Sequence, residues 1–452
     1  MRKNLLPMLT LFVVSLISAG LARADVRLPA VIDSHMVLQR DMPLPIWGWA
    51  DADETVSVQL DDGTAVKTKA DAKGKWKVTL PAVKADGKSH KLTISGNNKI
   101  TLEDILIGEV WVGSGQSNME WQLAGSTGGK EAIAAAKHPR IRLFHVPKVQ
   151  KPIPADDVEA DWTVCSPKSV GSFSGVLYFF GLRLQKELDV PVGLINSSWG
   201  GSPIEPWIVT DKGSGDMYDG MIAPLKPLAV RGAIWYQGET NVMRKNGLAY
   251  YGKMKDLIEG WRKVWGQDLS FYFVQIAPWS GRYEKGQLPS LWEAQVASLK
   301  IPGTGMAVTT DVVDNIGDIH PRNKLDVGNR LALWALAKDY GKTDLVYSGP
   351  LYKSMEIDGN KIRLKFAHVG GGLKSRDGKP LSEFKIAAAD GQFKPATATI
   401  DGDTVVVQAE GVEKPTQVQF GWHKVCNPNL MNEEGLPASP FQTNNWQGGT
   451  GE

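Results

Sequence analysis

The chain has 452 residues but only two cysteines, Cys165 and Cys426, and only seven histidines. Two cysteines exclude a disulfide framework and a thiolate metal cage, and neither CxxC nor HExxH spacing occurs. Pairing of Cys165 with Cys426 and burial as separate thiols both remain open at this level. No metal and no cofactor is expected. Apolar runs of membrane-spanning length are also missing beyond the first twenty or so residues. Nor is there a charge excess of either sign, with 51 basic against 49 acidic residues.

The one long apolar run is Leu5 to Ala19, preceded by Met1-Arg2-Lys3 and followed by Ala22-Arg23-Ala24-Asp25. A basic start, an apolar middle and an Ala-x-Ala end are the pattern of a cleaved secretory signal over residues 1–24. The mature protein is therefore expected to begin near Asp25, to be periplasmic or secreted, and to keep no membrane span. Loss of Arg2, Lys3 and Arg23 takes the 51 basic residues to 48, against the same 49 acidic ones. Such neutrality offers no electrostatic case for a nucleic-acid partner or an anionic membrane.

From 25 to 104 the pattern is strand-like. Val56, Val58 and Leu60 alternate with polar residues, as do Trp76, Val78 and Leu80, and then Leu92 and Ile94. A small β-sandwich is expected, for packing or for glycan binding. From 105 to 345 apolar strands alternate with amphipathic helices. The strands read as Glu109–Gly113, Val192–Asn196, Gly232–Tyr236, Phe271–Ile276 and Met306–Thr310; the clearest helices are Ser174–Leu188 and Ala249–Trp265. This alternation predicts an α/β domain with a parallel sheet, whose ligands sit outside the carboxyl ends of the strands. From 346 to 452 alternation returns in Ile362-Leu364-Phe366, Val405-Val407 and Val418-Phe420, with Asp-Gly turns at 358, 377, 390 and 401. A second β-sandwich followed by an irregular tail is expected there.

The strand ends carry the chemistry. Gly113-Ser114-Gly115-Gln116-Ser117-Asn118-Met119 exposes a serine after a tight turn, without the second glycine of the α/β-hydrolase elbow. Other strand ends carry Asn196-Ser197-Ser198-Trp199-Gly200-Gly201, Gln237-Gly238-Glu239-Thr240-Asn241, and Asp311 with Asp314 through Asp318-Ile319-His320. A serine needs a base to take its proton, and His320 is the histidine that follows a strand among carboxylates. Asp318 is the nearest carboxylate to orient it; Asp311, Asp314 and Glu239 are rivals. An oxyanion is expected to meet the N–H of Ser117, that of Gly200 or Gly201, and the Asn241 amide. Gln116, Gln237, Glu239 and Trp199 are candidate substrate contacts, and Trp199, Trp207, Trp235 and Trp279 are candidate stacking surfaces for sugar rings.

Taken together, Gly-Gln-Ser-Asn-Met, Asn-Ser-Ser-Trp-Gly-Gly, Gln-Gly-Glu-x-Asn and Asp-Ile-His-Pro resemble the blocks of SGNH hydrolases, and more narrowly the sialate O-acetylesterase family. The segments Pro203-Ile204-Glu205-Pro206-Trp207 and Asn432 to Phe441 extend the likeness over most of the mature chain. The resemblance implies a flavodoxin-like sheet, Ser117 as nucleophile, His320 as base, Asp318 as its partner, and an O-acetylated glycan as substrate. Many SGNH enzymes carry the aspartate three residues before the histidine. Here that position is Gly317, and Asp318 substitutes. The implied activity is deacetylation of sialic acid, or of a plant polysaccharide such as xylan or xyloglucan. The contrasting expectation is a glycan-binding protein without catalysis.

Overall fold

A computed structural model describes residues 25–444. The expected signal segment, residues 1–24, lies outside the described residues, and so does the end of the tail. Within them no helix is long and apolar enough to cross a membrane.

The core of the architecture is a sheet of seven strands: β1 (Lys99–Gly115), β2 (His138–His145), β3 (Trp162–Cys165), β4 (Val192–Ser198), β5 (Gly232–Tyr236), β6 (Ser270–Val274) and β7 (Thr304–Ala307). Their spatial order is β7-β6-β5-β1-β4-β2-β3. All neighbours run parallel except β3, which is antiparallel to β2. After β1 the chain builds one side of the sheet and then returns to build the other. The carboxyl end of β1, between β4 and β5, is therefore the switch point, where open α/β sheets leave a crevice for ligands.

β1 is seventeen residues long, and its burial pattern changes along its length. Up to Asp104 it mixes exposed and buried positions and pairs antiparallel with His90–Ser95; from Ile105 onward every residue is buried. An alternating strand has one wet face, whereas a continuously buried one is covered on both faces. One strand thus belongs to two environments. Its middle takes Val37–Gln39 as a parallel neighbour. The preceding residues form further strands, Thr55–Leu60 with Val66–Lys69 and His90–Ser95, and Leu44–Trp49 with Lys75–Leu80. Their buried side chains join one core with those of the central sheet.

The sheet is covered by helices α1 (Ser117–Glu120), α2 (Gly175–Leu188), α3 (Glu239–Met243), α4 (Tyr250–Trp265), α5 (Gln287–Ala297) and α6 (Lys324–Lys338). Ser174 caps α2 by accepting from Leu177 N–H, and Asn323 caps α6 by accepting from Asp326 N–H. Gly266, with φ of +67°, closes α4.

Beyond α6 the chain forms antiparallel sheets around a second core that includes Ile362, Leu364, Val405, Val407, Val418 and Phe420. Strand Lys361–Ala367 lies between Leu351–Asp358 and Thr404–Gln408, while Phe384–Ala387 pairs with Gln417–Phe420. The stretch read as an irregular tail supplies two short strands, Leu430–Asn432 and Phe441–Gln442, which pair with Leu373–Ser375 and with Gln417–Phe420. Cys165 and Cys426 are unpaired and buried, and burial alone pushes the Cys165 thiol up to about 12.

Candidate active site

Ser117 opens α1 directly after β1. The turn into it depends on Gly115, whose φ is +132° and where a Cβ would stand 2.2 Å from the Tyr236 carbonyl oxygen. Two hundred residues later the loop from β7 to α6 returns to the same spot. Its turn is tied by Asn315, whose side chain accepts from Gly317 N–H while its carbonyl accepts from Asp318 N–H.

The two loops meet at a hydrogen bond of 2.9 Å between Ser117 Oγ and His320 Nε2. On the far side of the ring, Nδ1 stands 3.3 Å from Asp318 Oδ1, which also accepts from the His320 main-chain N–H at 2.9 Å. The Trp121 ring stacks on the imidazole, with centroids 5.0 Å apart and planes at 25°. Burial lowers the His320 pKa below its ordinary value, Asp318 opposes this, and the Lys324 charge adds to it. The imidazole is thus neutral near pH 7, the state in which Nε2 accepts a proton.

A cavity of about 370 Å³ opens over the pair, lined by Ser117, Glu120, Trp121, Gln122, Gly125 and His320. Gly200 flanks the serine so closely that a Cβ there would meet Ser117 Cβ at 3.4 Å and Glu120 Oε2 at 3.0 Å. The Gly200 N–H donates to that Glu120 oxygen at 2.5 Å, and the other Glu120 oxygen is ion-paired with Lys148.

Residues 107–336 match the family model described as carbohydrate esterase, sialic acid-specific acetylesterase. Over 405 residues the chain is 31% identical to the human sialate O-acetylesterase, with 76% of each protein covered. Over 487 aligned positions it is 31% identical to the sialate O-acetylesterase of Pongo abelii, with 92% of each covered. Among solved structures, a carbohydrate acetylesterase from Xanthomonas citri is similar at a TM-score of 0.88 and 41% identity, over 93% of this chain and 100% of that one. The chain belongs to this carbohydrate esterase family.

Within that family fold, the expected site residues divide into two groups. Ser117 and His320 line the cavity, with Asp318 against the far side of the imidazole and Gly200 beside the serine. Gln116, Gln237, Glu239 and Asn241 do not line it: each is at most 2% exposed and is hydrogen-bonded internally, although Glu239 Oε2 has no partner. Gln237 Nε2 donates to Gln116 Oε1, to Asn241 Oδ1 and to the Ser202 carbonyl, and Gln237 Oε1 accepts from Tyr250. Asn241, the expected side-chain donor to an oxyanion, belongs to this second group. Its Nδ2 donates to Glu205 and, at 2.7 Å, to Asn246 Oδ1. These carboxamides form a floor that fixes the turns above it.

Two of the rival carboxylates are likewise engaged elsewhere. Asp311 is held bidentately by Arg330 at 2.7 and 2.6 Å, and Glu239 accepts from Asn118. Asp314 is exposed. Trp207 and Trp235 are 0% and 1% exposed, which rules them out as sugar platforms; Trp199 and Trp279 are partly exposed. Gly201 is exposed with φ of +77°, beside Gly200. Trp121 and Glu120, which do line the cavity, were not singled out from the sequence. Their position three and four residues after Ser117, one helical turn on, is the signal that finds them.

Proposed function

We propose that the protein is an exported serine esterase that removes O-acetyl groups from carbohydrate through Ser117, His320 and Asp318. The 2.9 Å hydrogen bond from Ser117 to His320 across the switch point carries this reading. Ser117 Oγ attacks the acetyl carbonyl carbon while His320 Nε2 takes its proton. The tetrahedral intermediate collapses as the imidazolium returns that proton to the departing sugar oxygen, leaving an acetyl-enzyme. Water, deprotonated by the same nitrogen, then releases acetate and restores the serine. Asp318 steadies the imidazolium each time it forms. The oxyanion faces the N–H of Ser117, free of an intrahelical partner in the first turn, and that of Gly200. There it replaces a Glu120 oxygen already bound as an anion.

Chemistry in this reading belongs to the central sheet, residues 105–345, with residues 25–104 and 346–452 as flanking β-sandwich domains. Cleavage after residue 24 delivers the mature chain to the periplasm or beyond.

A second reading concerns the sugar. The cavity lining carries the Glu120 carboxylate, which is paired with Lys148, and none of the lining residues is itself a lysine or arginine. A sialic acid brings its own carboxylate, whereas an acetylated plant polysaccharide such as xylan or xyloglucan is neutral around the ester. A lining that offers no unpaired cation to a sugar carboxylate favours the neutral glycan.

Acetate release from acetylated sialosides, xylan and xyloglucan, together with p-nitrophenyl acetate hydrolysis, tests both readings. Ser117→Ala is expected to abolish turnover on every substrate. Saccharide binding with no acetate release from the unaltered protein leaves a glycan-binding protein instead, and equal turnover by the two proteins removes Ser117 from the mechanism.

A further inference from the structure

Beneath the catalytic pair lies a buried charged group for which the proposed mechanism has no role. Lys324, the first residue of α6, is 0% exposed. Its Nζ donates to Asn118 Oδ1 at 2.6 Å and lies 5.7 Å from the Trp121 ring and 5.4 Å from the Tyr236 ring. Asn118 is itself 1% exposed, and its Nδ2 donates to Glu239 Oε1 at 2.6 Å and to the Ile319 carbonyl at 3.1 Å. Ile319 precedes His320, and Asn118 follows Ser117. One side chain therefore ties the nucleophile turn to the histidine loop.

We infer that Lys324 is a positioning residue for the hydrolysis: by holding Asn118 Oδ1 it turns the Asn118 amide toward Ile319 and so fixes the reach from His320 to Ser117. An ammonium only donates, so the atom facing it must be the amide oxygen. The two amide hydrogens are then left for Glu239 and for the histidine loop. Without Lys324, the amide is free to turn over and the tie to Ile319 is lost.

The charge acts along a second route. Lys324 is faced by Glu239 on α3 and by Asp314 and Asp318 on the loop before α6; burial brings its ammonium down to about 7. Burial pushes the facing Glu239 carboxyl up. Where Lys324 is charged, it disfavours a second positive charge on His320, which helps to keep the imidazole neutral.

The inference rests on the esterase reading, and the experiment separates the two. Lys324→Met keeps the apolar stem and removes both donor and charge; Lys324→Gln keeps a donor without the charge. With p-nitrophenyl acetate, K324M is expected to lower kcat about 10²-fold at nearly constant KM, the scale for reacting groups displaced by an ångström. Its acid limb in the pH profile of kcat/KM moves to higher pH, because a positive neighbour of His320 is gone. K324Q recovers much of kcat while its acid limb stays displaced. Asn118→Leu lowers kcat like K324M, and the double variant is no worse than either alone, since both break one tie.

A purely structural lysine would lower the melting temperature and leave the pH limb and the kcat-to-KM split as in the wild type; that result overturns the inference. If K324M does not fold, the limb of K324Q decides, and coincidence with wild type overturns it equally. Failure of the esterase reading is distinct: the wild type itself then shows no turnover that Ser117→Ala abolishes.

Discussion

Asp318→Asn isolates the weakest-placed member of the proposed catalytic trio. Asp318 Oδ1 does two things: it accepts from the His320 main-chain N–H at 2.9 Å, and it stands 3.3 Å from Nδ1 of the ring. Asparagine keeps an oxygen for the first task and removes only the charge, so the loop retains its shape. Unit charges at this separation attract by ~1.3 kcal/mol in a water-like medium and by ~5 kcal/mol at an effective dielectric of 20. The two side chains are 26% and 29% exposed, which selects the lower part of that interval. A transition-state loss of ~1.4–2.7 kcal/mol corresponds to a kcat about 10–10² below wild type. That is far short of the ~10⁴ lost when a fully buried triad aspartate is changed in this way.

The pH profile gives an independent sign. Asp318 raises the His320 pKa against the lowering by burial. Without that charge the imidazole loses its proton more readily, and the acid limb of kcat/KM moves to lower pH, opposite to its movement in K324M. Steady-state hydrolysis of p-nitrophenyl acetate from pH 4.5 to 8.5 (about four units around the ordinary histidine value) measures both quantities. A D318N enzyme within about twofold of wild type, the margin below which ~0.4 kcal/mol is at stake, with an unmoved limb would refute the assignment. A 10⁴-fold loss would refute the argument from partial exposure.

Two further outcomes follow from the charges around the sheet. Glu109, in the continuously buried part of β1, is 0% exposed and is met by Arg40 at 2.5 Å, Arg231 at 3.1 Å and Gln39 Nε2 at 2.9 Å. Glu109→Ala leaves both guanidinium groups without their carboxylate and is expected to cost about 3 kcal/mol in urea denaturation, near the low end for a broken buried pair; the arginines, 22% and 24% exposed, still reach water. Glu120→Gln removes the carboxylate from the cavity lining, and the ratio of kcat/KM for sialosides over neutral acetylated glycans should rise about fivefold, the ~1 kcal/mol between unit charges 4 Å apart in water. An unchanged ratio argues that the glycan carboxylate lies away from Glu120.

What the sequence revealed of this site, and what it hid, separates by whether the information is local. The strand ends were legible because β4, β5 and the buried end of β1 are apolar runs that stop at glycine and polar residues. Gly232–Tyr236 is found where the pattern predicts it, and α2 and α4 begin within a residue of expectation. Strand β2 escaped because its sequence, His138-Pro139-Arg140-Ile141-Arg142, reads as polar. Arg142 is nevertheless 3% exposed, its guanidinium spent on the carbonyls of Pro139, His35 and Asp104. The direction of a carboxamide is not local either. Asn241 follows a strand at the ligand edge as an oxyanion donor would, yet Glu205 and Asn246, brought in by other turns, claim its hydrogens. Equally, nothing near Lys324 in the chain announces a buried ammonium, since α6 begins with the charged residues usual for an exposed first turn.

The residues after 346 reach, through Trp279, the loop that carries His320. Residues 313–319 are exposed or only partly covered, and the bonds that Asn315 makes within the turn are supplemented by bonds from outside it. Trp279 supplies one, its indole N–H donating to the Gly317 carbonyl at 3.1 Å, and Ser280 N–H donates to the Ile316 carbonyl at 2.8 Å. That bracing strip is itself held from beyond α6. Trp279 N–H donates to the Lys424 carbonyl, and Lys424 Nζ donates to the carbonyls of Gly281 and Tyr283 at 2.6 and 2.7 Å. A series of hydrogen bonds thus runs from Lys424 through Trp279 to Gly317, one residue before Asp318. From the other side Asn118 holds Ile319. His320 sits between these two anchors, one built from the α/β sheet and one from the C-terminal sheets. A histidine placed on so open a loop can keep a 2.9 Å hydrogen bond to Ser117 because both anchors act at once. Loosening either is felt first in the catalytic rate, where an ångström matters, and only afterwards in the stability of the fold.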